Sequence, residues 1–502
     1  MASKEDWCAD KLSKLLNEDL RISTLNEIKE HFQEVSDSEA TQTAEILQLP
    51  LVFDCLNDSN SEQVDLACEV LSLCLEKLDI AETTNRYSIP LERALTHPNS
   101  GVKLMALNEI SRLVKCENAR KHQLVSELSK RLLLTNVIKC VGVENLQVAV
   151  TASNIIVCFG TIATDSLLTS NVLSTIREMM AINEIVRLRF YELFVDICST
   201  SREAHNKIVS AGLLSPMMNE ITSKDVLLRL NIIEIISKLV KFDYGYDYLD
   251  NESCIDRIFR QIMNADDPIF QQLCEPGILK FFGHMAHCKP NQVFNKYPQI
   301  FDKIFVNLES SDYTAVKVSL ETLAYIASSD KAIIDSFVGD KMTRAIRSIS
   351  NRLQNLPTKD KVLILCWMED LLKVNGNEID SEICLKWFEA FSQNPMDLVM
   401  HFVHNPFEEV RLGGLGIINS LSAYVWGQTR IKQFPGLIEF LMNRTVETSK
   451  IVKELKYSII ANLVANDFNV FQIETVKQFE NFLKEGTFYV QAATEIAFES
   501  NE

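Results

Sequence analysis

The sequence predicts an all-α protein built as an array of stacked helix pairs. Gly contributes 15 and Pro 12 of the 502 residues, whereas an average protein has roughly 7% and 5%. So few turn-forming residues indicate long regular elements, and Leu, Ile, Glu and Lys favour helices. A set of four apolar positions, spaced i, i+4, i+8 and i+11, also returns along the chain at intervals of roughly 40 residues.

The repeating unit is clearest between residues 183 and 221. A first helix carries one apolar face, a polar break follows at 199–202, and a second helix carries Ile208 and ends in a shorter apolar run, 213–218. One such pair cannot bury its own apolar face, so it needs similar pairs on both sides. The four positions recur as Val102, Ala106, Ile110, Leu113; Val148, Ala152, Ile156, Phe159; Val186, Phe190, Phe194, Ile197; Leu228, Ile232, Ile236, Leu239; Val410, Gly414, Ile418, Leu421; and, with Lys456 breaking the register, around Val452, Ile460, Leu463.

This period is typical of armadillo and HEAT arrays, so we expect an armadillo/HEAT-like α-α superhelix, or solenoid. Three parts are predicted: an N-terminal helical cap at 1–60, the repeat array at 61–484 and a C-terminal tail at 485–502. Asp, Ser, Asn and Pro suit helix starts. They precede predicted helices at 97–100, 265–268, 309–312 and 404–406. Residues 374–381 are expected to form a polar loop.

The net charge of −18 argues against binding to nucleic acid or to an anionic membrane, both of which need clustered Lys and Arg. It leaves open either simple solubility or a basic protein partner. Thirteen cysteines without a C-x-x-C pair indicate neither a disulfide framework nor a zinc site. With no signal peptide or membrane span, we expect a cytoplasmic protein, with the nucleus also open, that is a monomer when free.

Neither histidine pairs nor glycines indicate an active site. His284–His287 and His401–His404 are H-x-x-H pairs, but neither has a third metal ligand at a predictable spacing. Gly413, Gly414 and Gly416 lie within a predicted helix, without the strand and Lys of a phosphate loop, so close helix packing explains them better. No catalytic residue, metal or cofactor is therefore predicted, and we expect no enzyme activity.

Six residues are candidates for binding a protein partner. Four are cations and two are aromatic residues near the C-terminus: Arg187, Arg189, Lys280, Arg411, Phe488 and Tyr489. Surface ion pairs are the alternative for the cations. Arg187 and Arg189 flank Leu188, so they cannot share one face of a helix. The aromatic pair either packs back as a cap on the last repeat or forms a recognition element.

Five segments resemble one protein family, in order and over nearly the whole chain. They are Leu95–Lys103 (LTHPNSGVK), Cys140–Ala149 (CVGVENLQVA), Asn183–Leu193 (NEIVRLRFYEL), Gly277–Gly283 (GILKFFG) and Glu485–Val490 (EGTFYV). Together they are similar to the 26S proteasome non-ATPase regulatory subunit 5 family. The chain departs from the family pattern at Thr487, where the family has Pro.

The resemblance implies a chaperone for assembly of the proteasome base. Members of that family hold the C-terminal domain of an AAA ATPase, regulatory subunit 7. Their precursor module also contains regulatory subunit 4 and non-ATPase subunit 2, and they leave before the mature particle forms. Two alternatives remain: an armadillo-type transport adaptor, or a scaffold for another complex such as a phosphatase. The transport adaptor is disfavoured because none of the four tryptophans begins a W-x-x-x-N motif.

Overall fold

In the computed structural model, residues 4–115, 133–263, 268–374, 378–466 and 469–489 are described, and every regular element within these ranges is a helix. This confirms the all-α class. The chain divides into two compact units, Met1–Arg257 and Ile258–Glu502. The predicted division into cap, array and tail is a different one and stays a prediction.

The first unit contains α1 (Lys4–Leu15), α2 (Arg21–Glu34), α3 (Asp37–Ile46), α4 (Pro50–Asp54), α5 (Ser61–Lys77), α6 (Ile80–Thr96), α7 (Ser100–Lys115), α8 (Leu133–Val141), α9 (Leu146–Ile162), α10 (Thr164–Leu167), α11 (Ser170–Met180), α12 (Glu184–Cys198), α13 (Arg202–Ser210), α14 (Ser215–Glu220), α15 (Val226–Ile236), α16 (Asp243–Asn251) and α17 (Cys254–Met263), within which the boundary falls.

The second unit contains α18 (Pro268–Cys288), α19 (Pro290–Lys296), α20 (Pro298–Asn307), α21 (Tyr313–Ala327), α22 (Lys331–Leu353), α23 (Thr358–Leu372), α24 (Glu378–Glu389), α25 (Pro395–Val403), α26 (Glu408–Leu421), α27 (Val425–Gln433), α28 (Leu437–Met442), α29 (Lys450–Ala465) and α30 (Ile473–Glu485).

Each unit has two layers of helices. In the first unit one layer runs α2, α5, α7, α9, α12, α15, and each helix packs on the next. In the second unit the corresponding layer runs α18, α21, α23, α26, α29. The remaining helices pack against these rows and against one another. The four recurring apolar positions all lie buried between the layers, as expected for stacked helix pairs whose apolar faces are covered by their neighbours.

Several helices of these two rows begin with similar side-chain caps. The side chain of Asn183 accepts a hydrogen bond from the backbone N–H of Val186 at 2.9 Å, and Asn145, Asp225, Asp312 and Ser449 cap their helices in the same manner. Each cap satisfies a backbone donor that the helix itself leaves unpaired. Glu309–Asp312 and His404–Pro406 precede α21 and α26 as predicted, whereas residues 265–267 lie outside the described residues.

Two local predictions are wrong. The second helix of the 183–221 stretch is interrupted, because Gly212 adopts a φ of +72°, a left-handed conformation that ends α13 before α14 begins. The expected loop at 374–381 is also too long. Helix α24 begins at Glu378, and its residues Asp380 and Cys384 are buried. A short polar segment is easily interpreted as a loop, because it contains too few apolar positions to show the spacing of a helix.

Candidate protein-binding surfaces

Arg187 lies on α12 and is held by a neighbouring helix. Its Nε forms an ion pair with Oε1 of Glu220, 2.9 Å away, and the hydroxyl of Tyr191 donates a hydrogen bond to the same oxygen at 3.1 Å. Burial raises the pKa of Tyr191, and the nearby charge of Glu220 raises it further. The phenol therefore remains protonated and can act as the donor.

Arg189 joins two neighbouring repeats. Its Nη1 donates hydrogen bonds to the carbonyls of Val141 and Val143, at 2.8 and 3.0 Å, where α8 ends. The last carbonyls of a helix have no hydrogen-bond partner within the helix. A cation there donates hydrogen bonds to them and interacts favourably with the negative end of the helix dipole. Arg112 reaches the carbonyls of Leu75 and Leu78, and Arg352 reaches that of Leu308.

These additional inter-repeat arginines, Arg112 and Arg352, were not among the sequence candidates. Their bonds join residues 34 to 44 positions apart, which is about one repeat. The repeat period therefore predicts how far apart in the sequence the arginine donor and its carbonyl acceptor lie. It does not identify the acceptor, however, because a backbone carbonyl has no sequence signature.

Lys280 and Arg411 are also paired within the second unit. Nζ of Lys280 on α18 lies 3.2 Å from a carboxylate oxygen of Glu321 on α21, and both side chains are largely exposed. Arg411 is more enclosed. It donates to the carbonyls of Asn405 and Pro406 at 3.1 and 2.9 Å, and forms an ion pair with the buried Glu447. The role of all four cations in partner binding stays a prediction.

Phe488 and Tyr489 lie just after α30, and both remain accessible. Their exposed fractions are 54% and 44%. Arg444 anchors the start of this tail, since it donates to the carbonyls of Phe482 and Gly486 at 2.8 and 3.2 Å. Its guanidinium also lies 5.6 Å from the ring centre of Tyr489. Residues 485–489 are thus docked on the last repeat while their aromatic rings face solvent, which fits both a cap and a recognition element.

Four exposed apolar residues form a further candidate surface in the first unit, which we call the apolar row. They lie at the N-terminal ends of α9, α12 and α15, three consecutive helices of one layer: Leu146 (66% exposed), Val150 (49%), Ile185 (64%) and Leu227 (61%). Single exposed apolar residues are ordinary, but a series on adjacent elements is typical of a protein contact.

The apolar row has a signal in the sequence, although none of its members was among the sequence candidates. Ile185 and Leu227 each immediately precede the first buried position of their repeat, and Ile451 in the second unit does the same and is also exposed. The helical period places such a residue about 100° away from its buried neighbour. Further along α12, Lys238 bridges Glu192 and Asp196 at 2.9 and 2.8 Å.

The histidine pairs pack against aromatic rings. Nδ1 of His287 donates a hydrogen bond to the carbonyl of Tyr325 at 2.8 Å, and its ring stacks on that tyrosine. The ring of His404 packs edge-on against Phe440. Within the described ranges, no group of three or more His, Cys, Asp and Glu residues is placed to hold a metal ion.

Gly413, Gly414 and Gly416 are buried in α26. A Cβ at Gly414 would lie 2.9 Å from the backbone nitrogen of Val403, and one at Gly413 would lie 2.7 Å from Cβ of Leu365. These glycines therefore permit α26 to approach both α25 and α23, as the close-packing interpretation predicted. Among the described helices, none is both long and apolar enough to cross a bilayer.

Solved structures with similar folds are helical-repeat proteins. A crystal structure of importin beta matches 95% of this chain with a TM-score of 0.62 at 10% identity, and the match spans 59% of that structure. A crystal structure of Kap121p matches 93% of this chain with a TM-score of 0.51 at 12% identity, over 47% of that structure. At such identities the likeness concerns the fold alone, and it confirms the armadillo/HEAT-like class.

Sequence relatives cover the chain almost completely. The 26S proteasome non-ATPase regulatory subunit 5 of Bos taurus is 30% identical over 96% of both chains. The protein of the same name from Homo sapiens is 29% identical over 96% of both, and that from Drosophila melanogaster is 23% identical over 99% of both. The profile of one family, described as proteasome non-ATPase 26S subunit, matches residues 4–502. The chain therefore belongs to the proteasome non-ATPase 26S subunit family.

Proposed function

We propose that this protein is a chaperone for assembly of the 26S proteasome regulatory particle base. In this proposal it binds the C-terminal domain of one AAA ATPase, regulatory subunit 7. It does so within a module that also contains regulatory subunit 4 and non-ATPase subunit 2, and it is released before the mature particle forms. It acts in the cytoplasm, with the nucleus as an alternative location, and it catalyses no reaction.

The observation that carries the proposal is the match to regulatory subunit 5 relatives over 96% of the chain. The architecture supports it, because stacked helix pairs provide an extended surface on which a folded domain can be held. Release then requires a competing partner with overlapping contacts rather than the breaking of a bond.

The apolar row is the proposed contact in the first unit. Ile185 and Leu227 are exposed, and other residues of their helices make the contacts with the core. Each can therefore be replaced without disturbing the core. Burial of each side chain by a partner contributes about 1.5–3 kcal/mol. Charged replacements at the centre of such a contact weaken binding strongly, because an unpaired carboxylate would be desolvated.

Co-purification tests the proposal directly. The full chain is mixed with the isolated C-terminal domain of regulatory subunit 7, and we expect a stable complex on gel filtration. The double variant Ile185→Asp/Leu227→Asp should weaken it by about tenfold or more. The matched control, Val306→Asp/Ile473→Asp, changes two equally exposed apolar residues of the second unit and should retain binding. If wild-type chain forms no complex at micromolar protein, the proposal is wrong.

The six residues predicted from sequence are retained as proposed contacts, and the same assay ranks them. Phe488 and Tyr489 have exposed rings, whereas Arg187, Arg189 and Arg411 have bonds within the chain. Phe488→Ser/Tyr489→Ser should reduce binding if the tail is a recognition element. It should lower only thermal stability if the tail is a cap. Capture of transport or phosphatase components in place of ATPase subunits would favour the adaptor and scaffold alternatives.

A further inference from the structure

A strongly basic segment interrupts this acidic chain. Between Lys341 and Lys361 there are six Lys or Arg residues and one carboxylate, Asp360, while the whole chain carries a net charge of −18. Four of the cations, Lys341, Arg344, Arg347 and Arg352, belong to α22. At 3.6 residues per turn these four positions fall within one broad face of the helix.

Most of this positive charge is not neutralised by carboxylates of the described residues. Lys341 forms an ion pair with Asp302 on α20. Nε of Arg344 donates to the carbonyl of Asp340 at 3.3 Å, and Nη2 of Arg352 donates to the carbonyl of Leu308 at 3.0 Å. Arg347 is exposed, and no ion pair joins it to any described residue. Only one of the four cations therefore meets a carboxylate in the described part of the chain.

Three cations of this basic face, Lys341, Arg344 and Arg352, line a groove with an apolar floor, and Arg347 lies about one turn beyond Arg344, outside that lining. One cavity of about 150 Å³ lies between α20 and α22, with Phe305, Leu308 and Ile349 as its apolar lining. Lys341, Arg344 and Ser348 form much of its polar edge, together with one acidic residue, Glu309.

A second cavity of about 230 Å³ continues towards α21 and α23. Its apolar lining includes Val316, Leu356 and Ile364. The two cavities share Leu308, Ile349 and Arg352, so Arg352 lies where they adjoin. The hydrogen bond from Arg352 to the end of α20 holds its guanidinium at this position.

We propose that this groove, which we call the α22 groove, binds an acidic segment of a partner protein. Carboxylates of that segment pair with Arg344 and Arg347, and a bulky apolar side chain occupies the cavity between α20 and α22. Nucleic acid is the less suitable occupant, because the strongly negative remainder of the chain repels a polyanion. A short acidic segment, unlike a long polyanion, can stay within this basic region. The site is independent of the proposed chaperone function.

Fluorescence anisotropy with the full-length chain tests this assignment. The probe is a fluorescein-labelled peptide of about twelve residues, built from Glu-Glu-Leu triplets. We expect saturable binding that weakens at least about fivefold between about 50 and 300 mM NaCl, because screening weakens exposed ion pairs. A Gln-Gln-Leu peptide should not bind, and a Glu-Glu-Ser peptide should bind more weakly, since it has no side chain for the apolar floor.

The variant Arg344→Glu/Arg347→Glu should weaken binding of the Glu-Glu-Leu peptide by about tenfold or more, because electrostatic attraction becomes repulsion at both positions. Arg177→Glu/Arg260→Glu makes the same charge change at two other exposed helix positions and should leave affinity within about twofold. Circular dichroism melting verifies that both variants fold.

The assignment would be overturned by equal losses in the two variants, by equal binding of the Glu and Gln peptides, or by tighter binding of a single-stranded RNA oligonucleotide. Absence of binding at about 100 μM protein, far weaker than specific peptide recognition, would do so too. The peptide assay contains no ATPase domain. Its result therefore does not depend on whether the chain forms a complex with regulatory subunit 7 in the co-purification test.

Discussion

Lys456 lies where the sequence pattern requires an apolar or small residue. It is 2% exposed, within α29, between Val452 and Ile460 of the recurring set. The amine is accommodated because Nζ donates a hydrogen bond to the carbonyl of Asn443 at 2.7 Å, at the end of α28. It also lies 4.2 Å from the ring centre of Phe440. The break in the pattern is therefore a helix-terminus contact rather than an exposed position.

The ionisation of Lys456 makes stability depend on pH. Burial lowers its pKa from 10.5 to about 8, although the charge of Glu447 opposes the shift. Between these two values the unfolded chain holds the proton and the folded chain does not. The free energy of unfolding therefore rises as pH increases through 8 towards 10.5, and the charged amine is a cost to the folded state below 8.

We expect wild-type protein to gain about 1 kcal/mol of unfolding free energy, relative to Lys456→Met, between about pH 7 and about pH 9. Urea unfolding followed by tryptophan fluorescence measures this, because Trp367, Trp387 and Trp426 all lie in the second unit. Lys477→Met, at an exposed position of α30, should show no such difference. A pH-independent difference for Lys456→Met would contradict the expectation.

At the level of single helices, α26 depends on small residues where it crosses its neighbours. Gly414 is the sharpest case, because an added Cβ would lie 2.9 Å from a backbone nitrogen and 3.0 Å from Cγ2 of Val403. Backbone atoms cannot rotate away as the end of a side chain can, so α25 and α26 would have to separate. The lost contact exceeds the gain in helix propensity, which is about 1 kcal/mol for Gly to Ala.

Gly414→Ala should therefore lower the free energy of unfolding by about 1–3 kcal/mol. Gly101→Ala is the matched control in α7. There the nearest atom to an added Cβ is the side-chain oxygen of Asn99 at 3.1 Å, which can move, so the change should stay within about 0.5 kcal/mol. Thermal and urea unfolding of both variants measure the difference. Equal stability of Gly414→Ala and wild type would show that the two helices are not tightly packed there.

The helices were predictable to the extent that their buried faces repeat. Val186, Phe190 and Phe194 predict α12 because apolar burial at helical spacing is a local property of the sequence. Gly212 was harder to interpret, since its left-handed conformation depends on how the chain continues into α14. The pairing of Arg189 with Val141 was not predictable, because a single sequence does not specify which carbonyl a long side chain reaches across a repeat boundary.

At the scale of the whole molecule, an array of helix pairs spreads its contacts over several repeats. The apolar row crosses three helices, so a partner bound there touches parts of the chain more than 80 residues apart, from Leu146 to Leu227. No single repeat then provides most of the affinity, and a competitor that displaces the partner from some repeats weakens the remainder. Stepwise displacement of this kind suits a chaperone that must leave its client during assembly.

Steric occlusion is the mechanism that we propose for this chaperone, in which the ATPase domain binds either the chaperone or the proteolytic core but not both. We expect the full chain, at about ten times its dissociation constant, to raise the apparent dissociation constant between the ATPase C-terminal domain and the core particle about tenfold. Retention of labelled ATPase domain on immobilised core particle measures this. Ile185→Asp/Leu227→Asp should not compete, whereas Val306→Asp/Ile473→Asp should compete as wild type does. Coupling between binding sites is reciprocal. Core particle, added at the same multiple of its own dissociation constant, should therefore raise the apparent dissociation constant between the chain and the ATPase domain by the same factor. A stable ternary complex would exclude occlusion as the mechanism.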